Sequence, residues 1–490
     1  MNHHQAARIS SGAALLATLA ALTSCDEGET LPPLGHHVVT IDTDAIVPPP
    51  PASPLDPTAP APLFDRLEIA VLREGQTDPT AGATRDFSVD ADTFAPNGAT
   101  FTVEAEAGEK VRVRARLFRA SAAYEGESRP DTTIEVVASL PTTPAEGAVY
   151  TTIQLLTDDV GVPQGNAAEP LAPVEGDDAR VRAGEGSPTR AGSWAGAARV
   201  ACDGPPGDEQ ACVDGGAYWM GNPLVKGDDF VESDRQRLVV LSPFYLDTRE
   251  VKVGELRAWL VTQSPEMDSV PRRSADPNDE SYFCTFTDEA TAESEERPAN
   301  CVGWEVAQAF CESRGGSLPS EAQFEYASSE LRSALFVWGA DEAPLCEAAV
   351  WGRGGLADSA IAGVGANDCL ALGGDNGPQT LPIAMVDRDA TRLTDRIDIA
   401  GATVFDLAGN LQEWVVDRYN KQDEPCWSRT DTNIFVDPVC TTPGTLGGHS
   451  VRGGSWIQGR EFLRAAYRTN REPGQDQEYV VGFRCARSGE

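Results

Sequence analysis

The sequence predicts an α+β protein in which a small N-terminal β-sandwich precedes a larger mixed domain. Between residues 61 and 157, several segments alternate apolar and polar residues, which is the pattern of half-buried strands. Near residues 253–260 and 304–310, apolar residues recur instead with helical spacing. Tryptophan, glycine and cysteine concentrate after residue 193, so the second domain differs in composition from the first.

The length of the chain favours two domains, because 490 residues exceed what one hydrophobic core serves. Segments without apolar periodicity flank the alternating region on both sides and are interpreted as linkers. The assigned parts are a signal peptide at 1–25, a proline-rich linker at 26–60, the β-sandwich at 61–157, a second linker at 158–192 and the mixed domain at 193–490.

The first 25 residues have the features of a bacterial lipoprotein signal. Arg8 gives a positive start, a short apolar run follows, and the run ends in Leu22-Thr23-Ser24-Cys25. This tetrapeptide has the form of a lipobox, in which the cysteine is acylated and becomes the new N-terminus. We therefore expect lipidation at Cys25 and a protein anchored to a membrane of the cell envelope, on its periplasmic or outer-surface side. Ordinary cleavage close to Cys25 is the alternative.

The two linkers and the sandwich between them differ in pattern. Residues 26–60 contain the run Pro48-Pro49-Pro50-Pro51, which favours a polyproline II spacer. Residues 158–192 are rich in glycine, proline and acidic residues. The sandwich is free of cysteine, and we interpret it as structural. Its five predicted strands begin near Leu67, Ala99, Val111, Thr133 and Tyr150.

The charge of the chain limits the classes of partner. A net charge of −37 is spread along the sequence. Such a chain repels nucleic acid, so we expect no nucleic-acid partner. Acidic surface also suits calcium, although solubility explains it more simply.

The cysteines predict disulfides. One of the 11 cysteines is Cys25, and the others lie between Cys202 and Cys485. An even number in an exported domain favours disulfide bonds over a metal cluster, since no pair has the C-x-x-C spacing and His449 is the one histidine in this region.

Six short stretches stand out in the mixed domain. Within one of them, Ser320 and Gln323 have the spacing of a helix capping box. The stretches are GGAYWMG (215–221), CVGWEVAQAFC (301–311), SLPSEAQFEYA (317–327), FDLAGNLQEW (405–414), VRGGSW (451–456) and VGFRCA (481–486). In this order, they resemble the sulfatase-modifying-factor domain of formylglycine-generating enzymes. The resemblance implies a C-type-lectin-like fold with little regular secondary structure, in which Arg452 and Arg484 bind carbonyl groups of a buried loop core.

The turn around Asn410 is a candidate calcium site. Two carboxylates, Asp406 and Glu413, bracket it, and hard oxygen ligands suit calcium. In the resembling family, the positions of these carboxylates hold a structural calcium together with the carbonyls at Gly409 and Leu411. We therefore predict calcium as a cofactor. The alternative is that the carboxylates only hydrogen-bond the turn.

The positions of the family's catalytic cysteines are readable, and they hold other residues. Those enzymes bind copper(I) with two cysteines downstream of R-G-G-S and use oxygen to convert a substrate cysteine to formylglycine. The matching positions are Gln458 and Leu463, neither of which suits copper(I). A pocket tryptophan is replaced by Gln412 and an asparagine by Val480, while Ser455 persists. We expect no copper and no catalytic residues.

These observations favour a non-catalytic binding or scaffold protein that recognises a protein, a peptide or a glycan at the cell envelope. The alternative is an oxygen-dependent oxidase that converts a substrate cysteine to formylglycine, or a related metal-dependent oxidase. A purely structural envelope component is a third hypothesis. A binding protein predicts exposed aromatic side chains, for which Trp351, Tyr419 and Trp427 are the candidates.

Overall fold

The computed structural model describes most of the chain. The predicted signal peptide at residues 1–25, with Cys25, lies outside the described residues. Within them, no helix is both long enough and apolar enough to cross a membrane. The described residues are 35–53, 56, 58–78, 83–123, 127–176, 179–186, 190–222, 235–263, 270–276, 278–339, 346–347, 349–354, 365–370, 395–429, 432–472 and 478–490.

Two four-stranded sheets form the N-terminal sandwich. Its elements are β1 (Gly35–Thr43), β2 (Arg66–Leu72), β3 (Thr84–Ser88), α1 (Ala91–Phe94), β4 (Ala99–Ala105), β5 (Arg112–Phe118), β6 (Ile134–Ser139), β7 (Ala148–Leu155) and β8 (Val181–Ala183). One sheet has the order β4-β1-β7-β8 and the other β3-β2-β5-β6. The strands β1 and β7 are parallel, and the other neighbours are antiparallel. Apolar side chains of both sheets share one core, so the predicted sandwich is confirmed.

The predicted spacer at 26–60 is wrong for residues 35–43, because these form β1. This strand lies between β4 and β7 in the middle of its sheet. Its last five residues are all buried, so it lacks the alternation by which a half-buried strand is recognised. The prolines that follow mark the exit from β1, and the chain after them returns to the core at Leu63 and Phe64.

The predicted linker at 158–192 also contributes to the sandwich. β8 pairs with β7, and the Val137 amide donates to the Gln164 carbonyl at 2.9 Å. The Ser139 amide donates in the same way to the Leu171 carbonyl at 2.8 Å. Each of these paired segments is three residues long or shorter, which is too short for an alternating pattern to predict a strand.

The C-terminal part has short strands and helices joined by long loops. Its helices are α2 (Val253–Leu260), α3 (Ala292–Glu295), α4 (Trp304–Ser313) and α5 (Glu321–Ser328). Its strands are β9 (Gln210–Val213), β10 (Gly216–Met220), β11 (Arg237–Leu241), β12 (Phe244–Asp247), β13 (Arg396–Ile399), β14 (Ala402–Phe405), β15 (Gln412–Arg418), β16 (Ile434–Val436), β17 (His449–Arg452), β18 (Arg468–Arg471), β19 (Val481–Gly482) and β20 (Ala486–Ser488).

Four small sheets organise these strands. Their orders are β10-β11-β16, β20-β12-β9, β13-β14 and β18-β17-β15-β19. The predicted helices α2, α4 and α5 are confirmed. The capping box is present at α5: the Gln323 amide donates to Ser320 Oγ at 3.1 Å, and the Ser320 amide donates to Gln323 Oε1 at 2.9 Å. These local bonds explain why α5 starts at Glu321.

Disulfides hold the loops of the C-terminal part. Every cysteine from Cys202 onward is paired, which confirms the disulfide prediction. The pairs are Cys202–Cys212, Cys284–Cys301, Cys311–Cys485, Cys346–Cys369 and Cys426–Cys440.

The sandwich and the C-terminal part share a core. Trp219 of β10 is 1% exposed, and its indole Nε1 donates to the Leu63 carbonyl at 2.8 Å. The Phe64 ring meets the Trp219 ring edge-on, with centroids 5.7 Å apart. Leu238 of β11 joins the same apolar cluster. The two parts are therefore packed together through buried side chains and are not connected only by a linker.

Candidate functional site

The turn before β15 is held by a carboxylate from another segment. The backbone is left-handed at Gly409 and Asn410, with φ of 88° and 58°. A Cβ at Gly409 would lie 2.5 Å from the Val350 carbonyl oxygen, so glycine is required there. The Asn410 side chain donates to Glu250 Oε2 at 2.6 Å, and the Leu411 amide donates to Glu250 Oε1 at 3.1 Å. Glu250 therefore fixes the turn, a role that the sequence pattern did not indicate.

The predicted calcium ligand Glu413 binds an arginine instead. Glu413 and Arg484 are both fully buried. Arg484 Nε donates to Glu413 Oε2 at 2.7 Å, and Nη2 donates to Oε1 at 2.6 Å. A calcium ion at this carboxylate would face the guanidinium charge. Within the predicted set Asp406, Gly409, Leu411 and Glu413, the Glu413 carboxylate is thus already compensated by Arg484, and calcium binding at this turn stays a prediction.

The R-G-G-S stretch leads from β17 into the segment that contains the predicted copper positions, Gln458 and Leu463. Gly454 has a φ of 72°, and a Cβ there would lie 2.6 Å from the Phe462 carbonyl oxygen. The next segment is pinned by its backbone. The Trp456 amide donates to the Asn410 carbonyl at 2.9 Å, and the Gly352 amide donates to the Gln458 carbonyl at 2.9 Å. The segment around Ser455 therefore lies against the turn that precedes β15.

The side chains at the copper positions are used in packing. Gln458 is 1% exposed, and its Oε1 accepts a hydrogen bond from Ser455 Oγ at 3.1 Å. Leu463 lies at the end of a short 3₁₀ segment, Arg460–Leu463, and belongs to an apolar core cluster. Ser455 is bonded to an amide, not to a base, so nothing in this contact activates its hydroxyl as a nucleophile. The place of the two thiolates is filled by a neutral polar contact and an aliphatic side chain.

Gln412 is the first residue of β15. It is fully buried, and its Oε1 accepts a hydrogen bond from Arg471 Nη2 at 3.2 Å. Burial raises the pKa of the nearby Tyr467 hydroxyl and lowers the pKa of Arg471. Val480 is also buried. Gln412 and Val480 thus form part of the protein interior.

A buried ion-pair cluster connects α5 to β17 and β18. Glu321 accepts hydrogen bonds from Arg468 Nε and Nη2 at 2.7 and 2.6 Å, and Arg452 lies between Glu321 and Glu325. Arg452 also donates to the Ala465 carbonyl at 3.0 Å. The second family arginine, Arg484, donates to the Phe405 carbonyl at 2.8 Å. The expectation that both arginines bind buried carbonyls is therefore confirmed.

Sequence reasoning missed the acidic half of this cluster. Glu321 and Glu325 are four residues apart, so they lie on one face of α5. Ala322 and Phe324 of the same helix are also buried in the core. Two carboxylates on an apolar face require cationic partners, which is the signal that could have identified the cluster.

The aromatic residues proposed as exposed contacts are interior. Trp351, Tyr419 and Trp427 are 2%, 5% and 3% exposed. Tyr419 lies beneath the Arg468 guanidinium, and Trp427 packs near Phe435. The prediction that they form a binding surface is therefore wrong, because the domain uses its large aromatic rings to fill its core.

In the residues that the structure describes, no three histidine, cysteine or acidic side chains form a metal-binding group. At the predicted copper positions, Gln458 bonds the Ser455 hydroxyl and Leu463 is aliphatic, and none of these groups is a general base at neutral pH. The cysteines from Cys202 onward are disulfide-bonded and carry no thiolate.

Comparison with solved structures finds several that resemble part of this chain. The chain is similar in structure to PvdO from Pseudomonas aeruginosa, with 18% identity over 57% of this chain and 94% of that chain and a TM-score of 0.36. It is similar to Treponema denticola variable protein 1, with 17% identity over 57% and 94% and a TM-score of 0.34. It is also similar to CarF, with 15% identity over 58% and 98% and a TM-score of 0.31. No curated protein matches.

The family assignment rests on the sequence match. The sulfatase-modifying factor enzyme 1-like domain matches residues 197–489, which is more than half of the chain. The match includes all six motif stretches and all five disulfides. The chain belongs to the sulfatase-modifying factor enzyme 1-like family.

Proposed function

We propose that this protein is a non-catalytic binding or scaffold protein built on a formylglycine-generating-enzyme-like domain. One observation carries the proposal: the positions of the copper-binding cysteines hold Gln458 and Leu463, and both side chains are buried in packing contacts. Thiolates are the ligands that suit copper(I). The domain keeps the scaffold of the family and lacks the groups that perform its oxidation.

The state of the remaining cysteines supports this proposal. A second copper site would need other thiolates, but the cysteines of the domain are paired with one another. Ser455, the retained pocket residue, is buried and bonded to the Gln458 amide. A substrate cysteine would have to displace this contact before it reached any interior group.

The protein acts, in this proposal, at the surface of a membrane of the cell envelope. Cys25 in Leu22-Thr23-Ser24-Cys25 is the proposed site of lipidation. The partner is an envelope protein, a peptide or a glycan, and the strong negative charge disfavours nucleic acid. Calcium binding at the Asp406 loop stays a prediction, and the pairing of Glu413 with Arg484 argues against Glu413 as one of its ligands.

Catalysis is tested with the full, oxidised chain and a cysteine-containing sulfatase-type peptide. The peptide is incubated with oxygen and with either copper(I) or iron(II), and mass spectrometry follows conversion of the thiol to an aldehyde. We expect the peptide to be unchanged under conditions in which an active family enzyme converts it. Conversion would establish the alternative, an oxygen-dependent oxidase, and would contradict the proposal.

The anchor is tested separately. The wild-type protein and the variant Cys25→Ser are expressed in a bacterial host that processes lipoproteins, and the N-terminal peptide is analysed by mass spectrometry. We expect an acylated Cys25 and membrane association in the wild type, and neither in the variant. An unmodified N-terminus in the wild type contradicts lipid anchoring without affecting the proposal for the C-terminal domain.

A further inference from the structure

A long apolar groove runs along one side of the N-terminal sandwich, between the edge strands β3 and β4. Its volume is about 730 Å³. Six consecutive residues of β4, 99–104, line it, which corresponds to a length of about 20 Å. Ile41, Leu67 and Ile69 form an apolar floor, and Phe87, 47% exposed, stands at the rim. The groove is thus shaped for an extended chain.

The outward edge of β4 has no strand partner among the residues that the structure describes. The His36 amide donates to the Gly147 carbonyl. The backbone amide and carbonyl groups of His36 and of every second residue after it therefore point toward β7, and those of the residues between them point toward β4. Val103 and Phe101 therefore exchange hydrogen bonds with β1. Thr100 and Thr102 direct their amide and carbonyl groups outward, and both residues are exposed. Among the described strands, β4 has one neighbour, and so does β3.

One end of the groove is acidic. Arg73 and Glu104 line both the groove and an adjoining depression, whose other acidic residues are Glu74, Glu106 and Glu109. Arg73 Nη1 binds the Glu109 carboxylate at 2.7 and 2.8 Å, and Nη2 donates to the Glu104 carbonyl at 3.0 Å. Four carboxylates line this depression with Arg73, and the Arg112 guanidinium bonds the Arg73 carbonyl, so acidic groups outnumber basic ones and this end favours a cation.

We propose that this groove binds an extended peptide segment of a partner protein by β-strand addition to β4. Apolar side chains at alternate positions of the segment enter the groove, and a lysine or arginine at one end meets the carboxylates. The inference goes beyond the proposed function, since it concerns the sandwich and does not depend on whether the C-terminal domain is catalytic.

The free edge favours a peptide over a hydrocarbon ligand. A hydrocarbon chain would fill the apolar floor, but it would remove water from the edge groups of Thr100 and Thr102 without replacing its hydrogen bonds. A peptide strand satisfies those groups with its own backbone and presents side chains at the spacing of the groove. The acidic end adds a preference for sequence and direction that a neutral chain could not use.

The test uses the full-length chain and phage-displayed random dodecapeptides. We expect enrichment of peptides with alternating apolar residues and a terminal basic residue. The variant Thr102→Pro removes an outward amide and leaves the β1 pairing intact. It should weaken the binding of an enriched peptide about tenfold or more, as measured by fluorescence polarisation. Absence of enrichment, or equal binding to Thr102→Pro, would overturn the proposal.

Two further measurements keep the test independent of folding defects. N-methylation of the enriched peptide at alternate amides should abolish binding in one register and spare it in the other. The variant Glu104→Lys/Glu106→Lys should no longer bind the basic peptide and should instead bind a peptide in which glutamate replaces the basic residue. The variant Glu305→Lys, at an exposed position on α4, should bind both peptides as the wild type does. If dodecylamine binds instead, with equal affinity for Thr102→Pro, the groove is a hydrocarbon site and the proposal is wrong.

Discussion

At Glu321, a fully buried carboxylate is ionised because of its partners. Burial works against its charge, but Arg468 and then Arg452 outweigh this effect, so the pKa of Glu321 lies below its usual value. Ser450 and the Arg468 guanidinium supply hydrogen bonds. The cluster couples α5 to β17 and β18 through buried ion pairs.

We predict that Glu321→Gln destabilises the protein by about 3 to 5 kcal/mol, because it leaves Arg468 buried without its counter-charge. Urea unfolding followed by fluorescence measures the change. Glu305→Gln, on the exposed face of α4, is the matched control and should change the free energy of unfolding by less than about 0.5 kcal/mol. A similar small effect at both positions would show that Arg468 has an adequate alternative partner.

His449 gives the stability a pH dependence. Its ring stacks on Trp304 with centroids 3.8 Å apart, and burial, together with the charge of Arg418, lowers the pKa of His449 to about 4 from 6.5. The folded state therefore takes up the proton less readily than the unfolded state. The resulting stability is present above pH 6.5 and is lost as the pH falls toward 4.

The variant His449→Gln tests this dependence. Relative to this variant, the wild type should lose about 2 to 3 kcal/mol of stability between pH 7 and pH 4.5. Asp417 acts in the opposite sense, because burial and then the charge of Glu321 raise its pKa to about 7, so its contribution is lost as the pH rises through 7. Asp417 is present in both proteins, so the comparison isolates His449. A pH-independent difference would contradict the prediction.

At the scale of elements, the disulfides differ in the length of chain that they close. Cys311 on α4 and Cys485 before β20 are 174 residues apart, whereas Cys202 and Cys212 are 10 apart. A bridge restricts the unfolded chain more when it closes a longer loop. Cys311–Cys485 also joins the helix to the strand that completes the sheet with β12. It is therefore expected to contribute more stability than the short bridge.

We predict that Cys311→Ser/Cys485→Ser lowers the free energy of unfolding by about 5 kcal/mol, and that Cys202→Ser/Cys212→Ser lowers it by about 3 kcal/mol. Denaturant unfolding of each double variant provides the comparison. The second variant serves as the control for the chemical change itself, since both remove one bridge and add two hydroxyls. Equal losses would mean that residual structure in the unfolded state already brings Cys311 and Cys485 together.

The sequence predicted those elements whose pattern is local. The strands β2 and β5 alternate, and the Ser320 capping box marks the start of α5, so short-range physics identifies them. β1 was missed because it is buried on both faces. At the site, counting from R-G-G-S located Gln458 and Leu463. The pairing of Glu413 with Arg484, 71 residues away, could not be predicted, because a carboxylate near a turn can bind either a calcium ion or an arginine side chain.

At the scale of the whole molecule, the shared core implies that the sandwich and the C-terminal domain unfold together. Trp219 fills the junction and bonds the Leu63 carbonyl. Calorimetry of the wild type should show one transition. Trp219→Ala should lower stability by about 3 to 5 kcal/mol and separate the transition into two.

The control for this prediction is Trp414→Ala. Trp414 is equally buried, and its indole also donates to a carbonyl, that of Val302, but it lies wholly within the C-terminal domain. Removal of the Trp414 side chain should destabilise the C-terminal domain to a similar extent, but it should leave the contacts between that domain and the sandwich unchanged. Two transitions in the wild type would contradict the prediction of a single cooperative unit.

The long bridge also has a consequence for biosynthesis. A ribosome adds about 5 to 20 residues per second, so Cys311 emerges about 10 to 35 s before Cys485 is made. The thiols of Cys284 and Cys301, 17 residues apart, meet within about 1 to 3 s. Cys346 and Cys369 are also synthesised during that interval, so Cys311 has other possible partners before Cys485 is available. Correct maturation therefore depends on thiol–disulfide exchange that can reverse an early wrong pairing, and the yield of native protein should follow the supply of a disulfide isomerase.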